Sequence, residues 1–277
     1  MHHTTIKPTL DDYLVPFGFC TNDFFDPLNP STPQAIESAL QFSKENILTK
    51  DELLNIGSGT NILKAHQSKN SAASLFLILV KLATIKLKHS TAKRLLTLTG
   101  SFERSMLLIN LFGQMDDGFV WEKLFAEWWS NCDGCTLHSN KFIEVFNKAN
   151  LDEIRKAGSK QDVEFYNNLP DMVTVFRGTI DCDEISPGIS WTLDIDVARK
   201  FARIADDLTY MRGAAIRYVL GLGVGYAEIL KKNPAGGIII KATVPKEKII
   251  YVNTRGESEV IITFNMSNDE FTLFETI

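Results

Sequence analysis

The chain has 277 residues, 44% hydrophobic and 23% charged, with 29 basic against 34 acidic side chains and a net charge of -5. This composition predicts a packed core and excludes wholesale disorder, and the acidic balance argues against a protein that coats nucleic acid through a basic surface. Four cysteines in a chain of this length exclude a disulfide scaffold and point to a reducing compartment.

Met1 to Val15 is polar throughout and has no apolar signal core, so a cytoplasmic location is expected, in its own cell or in one it is delivered into. The segment to about Thr32 is rich in Pro, Asn, Asp and Phe and is expected to wrap irregularly. Ser31-Thr32-Pro33 reads as a helix start, with Ile36, Leu40 and Phe42 as its apolar stripe. Further helices are predicted at about 50–56, 72–88, 91–112, 119–130 and 140–157. Leu95, Leu98, Phe102, Met106 and Ile109 give the 91–112 stretch one continuous helical period. The longest unbroken apolar run of the 72–88 segment, Leu75 to Val80, is far short of a bilayer span, and no membrane partner is expected.

Near residue 170 the pattern changes to β-branched runs and glycine-bearing turns. Strands are predicted at Val173–Phe176, Gly188–Thr192, Ile238–Val244, Ile249–Val252, Val260–Phe264 and Phe271–Phe274, with a helix over Asp194–Ala205. The expected organisation is α+β: a helical N-terminal region over 1–168 and a strand-rich domain over 169–277.

Three segments of the C-terminal part carry candidate chemistry. Phe176-Arg177-Gly178 ends an apolar strand. Gly188-Ile189-Ser190-Trp191-Thr192 follows, with Ser190 thirteen residues after Arg177 and Phe201 eleven residues beyond Ser190. Glu257-Ser258-Glu259 leads into Val260-Ile261-Ile262. Two carboxylates at i and i+2 of an extended strand share a face.

Arginine, Ser-x-Thr and Glu-x-Glu in this order on strands resemble the mono-ADP-ribosyltransferases of the arginine–serine–glutamate class, in their compact bacterial or phage form, over residues 170–277. The resemblance implies two small sheets around a cleft for NAD, which is the cosubstrate, with no metal. It implies Glu259 beside the nicotinamide ribose, where cleavage develops oxocarbenium character that a fixed carboxylate stabilises. Arg177 would grip the pyrophosphate, and Gly178 would bring its backbone close to the nicotinamide amide. Ser190 would hold the glutamate and the ribose, Thr192 would support the strand, and Phe201 would stack on the nicotinamide. The implied catalytic set is Glu259, Glu257, Arg177 and Ser190; the cofactor set is Arg177, Gly178, Ser190, Trp191, Thr192 and Phe201.

In that family a glutamate at the position of Glu257 goes with arginine as the acceptor, so the resemblance implies a protein arginine. The competing acceptor is an RNA or DNA base, as in toxin and phage-defence enzymes, and the twelve basic and fifteen acidic residues of 170–277 lend it no electrostatic support. A third reading is a noncatalytic binding module. The helical region would bind target, inhibitor, antitoxin or chaperone. Each site residue also has a plain reading: Arg177 in an ion pair, Ser190 and Thr192 flanking a core tryptophan, Glu257 and Glu259 on a solvated edge, Phe201 in the core.

Cys132-Asp133-Gly134-Cys135, with His138 nearby, has the gap of a zinc knuckle, but a second cysteine pair is missing, so a turn is expected. Gly221-Leu222-Gly223-Val224-Gly225 lacks the spacing of a dinucleotide loop and reads as a loop.

Overall fold

Residues 8–46, 73–115, 118, 120–132, 135–180, 188–202, 237–255, 258–264 and 270–276 are described by the computed structural model. They divide into two units, Met1–Asp133 and Gly134–Ile277. The chain is α+β, as its composition predicts. Predicted features at 50–56 and Gly221–Gly225, and Glu257 itself, lie outside the described residues.

In the first unit the opening segment makes short helical turns at Asp11–Leu14, Val15–Phe17 and Thr21–Asp23. These turns fold its phenylalanines inward. Phe17 and Phe19 meet Phe76 edge to face at 5.3 and 5.8 Å, the arrangement favoured by the ring quadrupoles. Phe76 belongs to a helix through residues 73–82, whose Leu75, Phe76, Leu79 and Val80 are fully buried. That helix stops earlier than 88. Helix Thr32–Asn46 follows the Ser31-Thr32-Pro33 start.

The periodic stretch over 91–112 is two helices, His89–Leu98 and Ser101–Leu111. Thr99 is extended and its hydroxyl turns back to the Leu95 carbonyl at 2.6 Å, while Gly100 takes the extended cap position of the second helix. Apolar spacing continues through such a break, so the period alone did not reveal it. Trp121 and Phe125 of helix Val120–Trp128 form the middle of a run of rings, Phe112–Trp121–Phe125–Trp129, with successive centroids 5.1 to 5.3 Å apart. The Trp121 indole donates to the Leu108 carbonyl at 2.8 Å.

The second unit opens with helices Ser139–Phe146, Leu151–Ala157 and Lys160–Asn167. The helix expected over 140–157 is thus interrupted, and Asn150 caps the second piece by accepting from the Glu153 amide at 3.3 Å. Among the described residues six strands follow: β1 Met172–Ile180, β2 Ser190–Thr192, β3 Gly237–Pro245, β4 Ile249–Asn253, β5 Glu259–Ile262 and β6 Phe271–Thr276. Helices Leu151–Ala157 and Lys160–Asn167 are bonded to β4 and to the residues just before it. Arg155 donates to the carbonyls of Ile249 at 3.2 Å and Glu247 at 2.7 Å, and its cation and that of Lys246 both lie over the Tyr166 ring.

The strands form one antiparallel sheet in the order β4-β5-β2-β1-β3-β6. Two small sheets were expected; instead β1 pairs with β3 along its whole length and bridges to β2 at Phe176 and Thr192, which joins the halves. Register places one residue of each strand in a line across the sheet: Asn253, Glu259, Thr192, Phe176, Lys241 and Thr272. Directly opposed residues share a face, so these six side chains do.

The helix after β2 runs from 195 and is described to 202. Asp194 starts it, accepting from the Asp196 amide at 2.8 Å. Its Ala198 and Ala202 pack with Ile239 and Phe176. A Cβ on Gly178 would lie 2.0 Å from the Ala198 carbonyl oxygen, and one on Gly237 would lie 2.3 Å from that of Ala202. Only glycine admits the helix this close to the strands.

Candidate functional site

Gly188 has a φ of 72°, a left-handed conformation natural to glycine, and turns the chain into β2. The Ser190 hydroxyl then reaches across to β5 and donates to Glu259 Oε1 at 2.6 Å. Arg177, from β1, donates through Nη1 to the main-chain oxygen of Ser190. One residue from each of the three sequence segments is therefore held at one place in the sheet. A serine fixes the carboxylate, and a guanidinium fixes the strand that carries the serine.

Burial pushes the Arg177 guanidinium down to about 10, against the attraction of the Glu259 carboxylate and the Cys135 sulfur. Its Nε is enclosed by protein. The arginine thus organises the strands from within, which neither the ion-pair reading nor the pyrophosphate grip anticipates. Planarity suits it to this task, because a guanidinium projects several N–H groups in fixed directions.

The remaining candidates divide. Thr192 is buried; its hydroxyl donates to the Ser258 carbonyl at 3.4 Å and accepts from the Asp194 amide at 3.1 Å, so it links β2 both to the start of the following helix and to the residue before Glu259. Trp191 is 2% exposed and its indole donates to the Gly188 carbonyl at 3.1 Å, the placement of a core tryptophan rather than a ligand contact. Gly178 meets the Ala198–Ala202 backbone, so the close approach it permits is that of a helix. Phe201 stands on that helix, 39% exposed, and among the described residues no ring contact or hydrogen bond joins it to Arg177, Ser190 or Glu259. Glu257 lies outside the described residues.

Sequence reasoning passed over Asp162 and Thr254. Asp162 is buried at the start of helix Lys160–Asn167 and bonds both to Ser159 and, 92 residues on, to Thr254, which follows β4. The local half of that pattern was available, since Ser-x-x-Asp before a helix is a capping signal. Burial raises the carboxyl, but the hydrogen bonds from Ser159 and Thr254 outweigh it and hold Asp162 below its ordinary value.

Among the described residues no cluster of three or more His, Cys, Asp or Glu side chains could hold a metal ion. Cys135 is buried, and Cys132 donates to the Trp128 carbonyl at 3.3 Å. No described helix is long and apolar enough to cross a membrane. Comparison with protein-family models, with curated proteins and with solved structures returns no match.

Proposed function

We propose that the chain is a mono-ADP-ribosyltransferase that moves ADP-ribose from NAD to a macromolecular acceptor, a protein arginine in the first instance. The observation that carries the reading is the Ser190–Glu259 hydrogen bond, with Arg177 bound to the same Ser190. The sequence order of these residues raised the idea; their meeting on adjacent strands supports it.

In this reading the bond between nicotinamide nitrogen and the ribose anomeric carbon breaks, its electron pair leaving with nicotinamide. Glu259, oriented by Ser190, stabilises the positive charge that develops on the ribose. The acceptor nitrogen then bonds to the anomeric carbon and gives up a proton, a task assigned to Glu257. Arg177 sets the distance between β1 and β2, and through it the direction of the Ser190 hydroxyl.

The enclosed Nε of Arg177, the core indole of Trp191 and the packing role of Gly178 favour a second reading, a noncatalytic module built on the same strands. Incubation with labelled NAD and separate protein, RNA and DNA pools distinguishes them. Label on protein with nicotinamide release is the expected result. Label confined to a nucleic acid overturns the acceptor, and no nicotinamide release from any pool overturns the enzyme.

A further inference from the structure

We propose that Asp162 is a positioning residue for the Glu259 carboxylate, acting as a clamp on the turn between β4 and β5. The clamp stands on geometry; its purpose rests on the transferase reading.

A carboxylate that only caps a helix stops at its own helix. Asp162 Oδ2 does this: it accepts from the Ser159 amide at 3.0 Å and hydroxyl at 2.6 Å, while the Ser159 oxygen accepts from the Asp162 amide at 3.2 Å. The other oxygen does more. Oδ1 accepts from the Thr254 amide at 2.8 Å and the Thr254 hydroxyl at 2.7 Å. Asp162 is only 5% exposed, so water competes little for these bonds.

Thr254 directly follows Asn253, which stands opposite Glu259 in the β4–β5 register. Asn253 Oδ1 accepts from the Arg255 amide at 3.0 Å and starts the turn. At the far end Ser258 has a φ of 45°, an uncommon conformation for a residue with a side chain. Its carbonyl accepts from the Leu193 amide at 3.0 Å and the Thr192 hydroxyl at 3.4 Å. Asp162 therefore fixes where the turn begins, the end of β2 fixes Ser258 at its far side, and Glu259 is the next residue. A carboxylate that must meet both Ser190 and a ribose tolerates little displacement, since misplacement of about 1 Å lowers a rate by up to about 100-fold.

The test compares Ser159→Ala with Thr254→Val in the full chain. Ser159→Ala weakens the helix cap and leaves the Thr254 bonds; Thr254→Val removes a clamp bond and leaves the cap. Nicotinamide release and amide hydrogen exchange over Glu259–Ile262 are measured for both. Expected for Thr254→Val is a kcat lowered about tenfold, a KM for NAD within about threefold of the parent, and faster exchange in β5. Ser159→Ala should keep kcat within about twofold and leave β5 exchange unchanged. Equal β5 exchange in the two variants overturns the clamp. Faster exchange in Thr254→Val with unaltered kcat keeps the clamp and overturns its role toward Glu259. A parent protein that releases no nicotinamide overturns the transferase reading and that role with it, while exchange still decides the clamp.

Discussion

The Ser190 hydroxyl donates to the Glu259 carboxylate at 2.6 Å, joining β2 to β5 through residues 69 positions apart in the chain. The contact couples the two side chains, so their substitutions should not act independently. Glu259→Gln is expected to lower nicotinamide release by roughly 100-fold or more, and Ser190→Ala by about tenfold or more. The double substitution should do little beyond Glu259→Gln. Circular dichroism of each variant should match the parent; additive losses would separate the two residues.

Arg177 holds Ser190 through a planar guanidinium whose Nε is enclosed. Lysine keeps the charge but not the fork, and its compact ammonium loses hydration when buried. Arg177→Lys is therefore expected to destabilise the chain by about 2–4 kcal/mol, and lysine should not restore NAD cleavage. Denaturant midpoints with matched activity assays check this. A lysine variant of parental stability would show that the cavity does not require the guanidinium.

Gly178→Ala should be damaging for a steric reason. The added methyl would lie 2.0 Å from the Ala198 oxygen and 2.4 Å from the Ala202 nitrogen, both backbone atoms that cannot swing aside. A loss of about 1–3 kcal/mol is expected, the usual range for forcing extra volume into a packed interface. The cleanest readout is the unfolding midpoint, and an unchanged value would contradict the seam between strand and helix.

Asp162 predicts an acid-sensitive contribution to stability. Its folded value lies below the ordinary 3.8, so between the two the unfolded chain binds more protons. The stabilisation is full above the unfolded value and is lost as pH falls through the folded one. Asp162→Asn should therefore be destabilising at neutral pH, by about 1–3 kcal/mol, and the difference should shrink below pH ~4. Unfolding curves of parent and variant from pH 7 to pH 3 test the trend; a gap that widens in acid would reverse the sign.

Sequence pattern made the strand-rich half legible to differing degrees. The β-branched runs at Ile238–Val244 and Ile249–Val252 read directly as strands, because apolar β-branched segments bounded by turns have few alternatives. Helix ends were harder. The stripe Leu95, Leu98, Phe102, Met106, Ile109 passes unbroken across the extended Thr99–Gly100, since an apolar stripe reports a facing surface and not chain continuity. At the candidate site, residue order located Arg177, Ser190 and Glu259. It could not say that Trp191 faces the core, that Gly178 yields to a helix, or that the second Asp162 oxygen is spent on Thr254, for these depend on contacts distant in sequence.

The line Asn253–Glu259–Thr192–Phe176–Lys241–Thr272 has a consequence for assembly. If β5 slid by one residue against its neighbours, Glu259 would swing to the side of Trp191 and Val260 and lose the Ser190 hydroxyl. The mispaired arrangement is thereby penalised by the loss of the Ser190–Glu259 bond. A single acidic residue thus proofreads strand alignment, and a chain that reaches its correct pairing has, by the same act, joined that carboxylate to its serine partner.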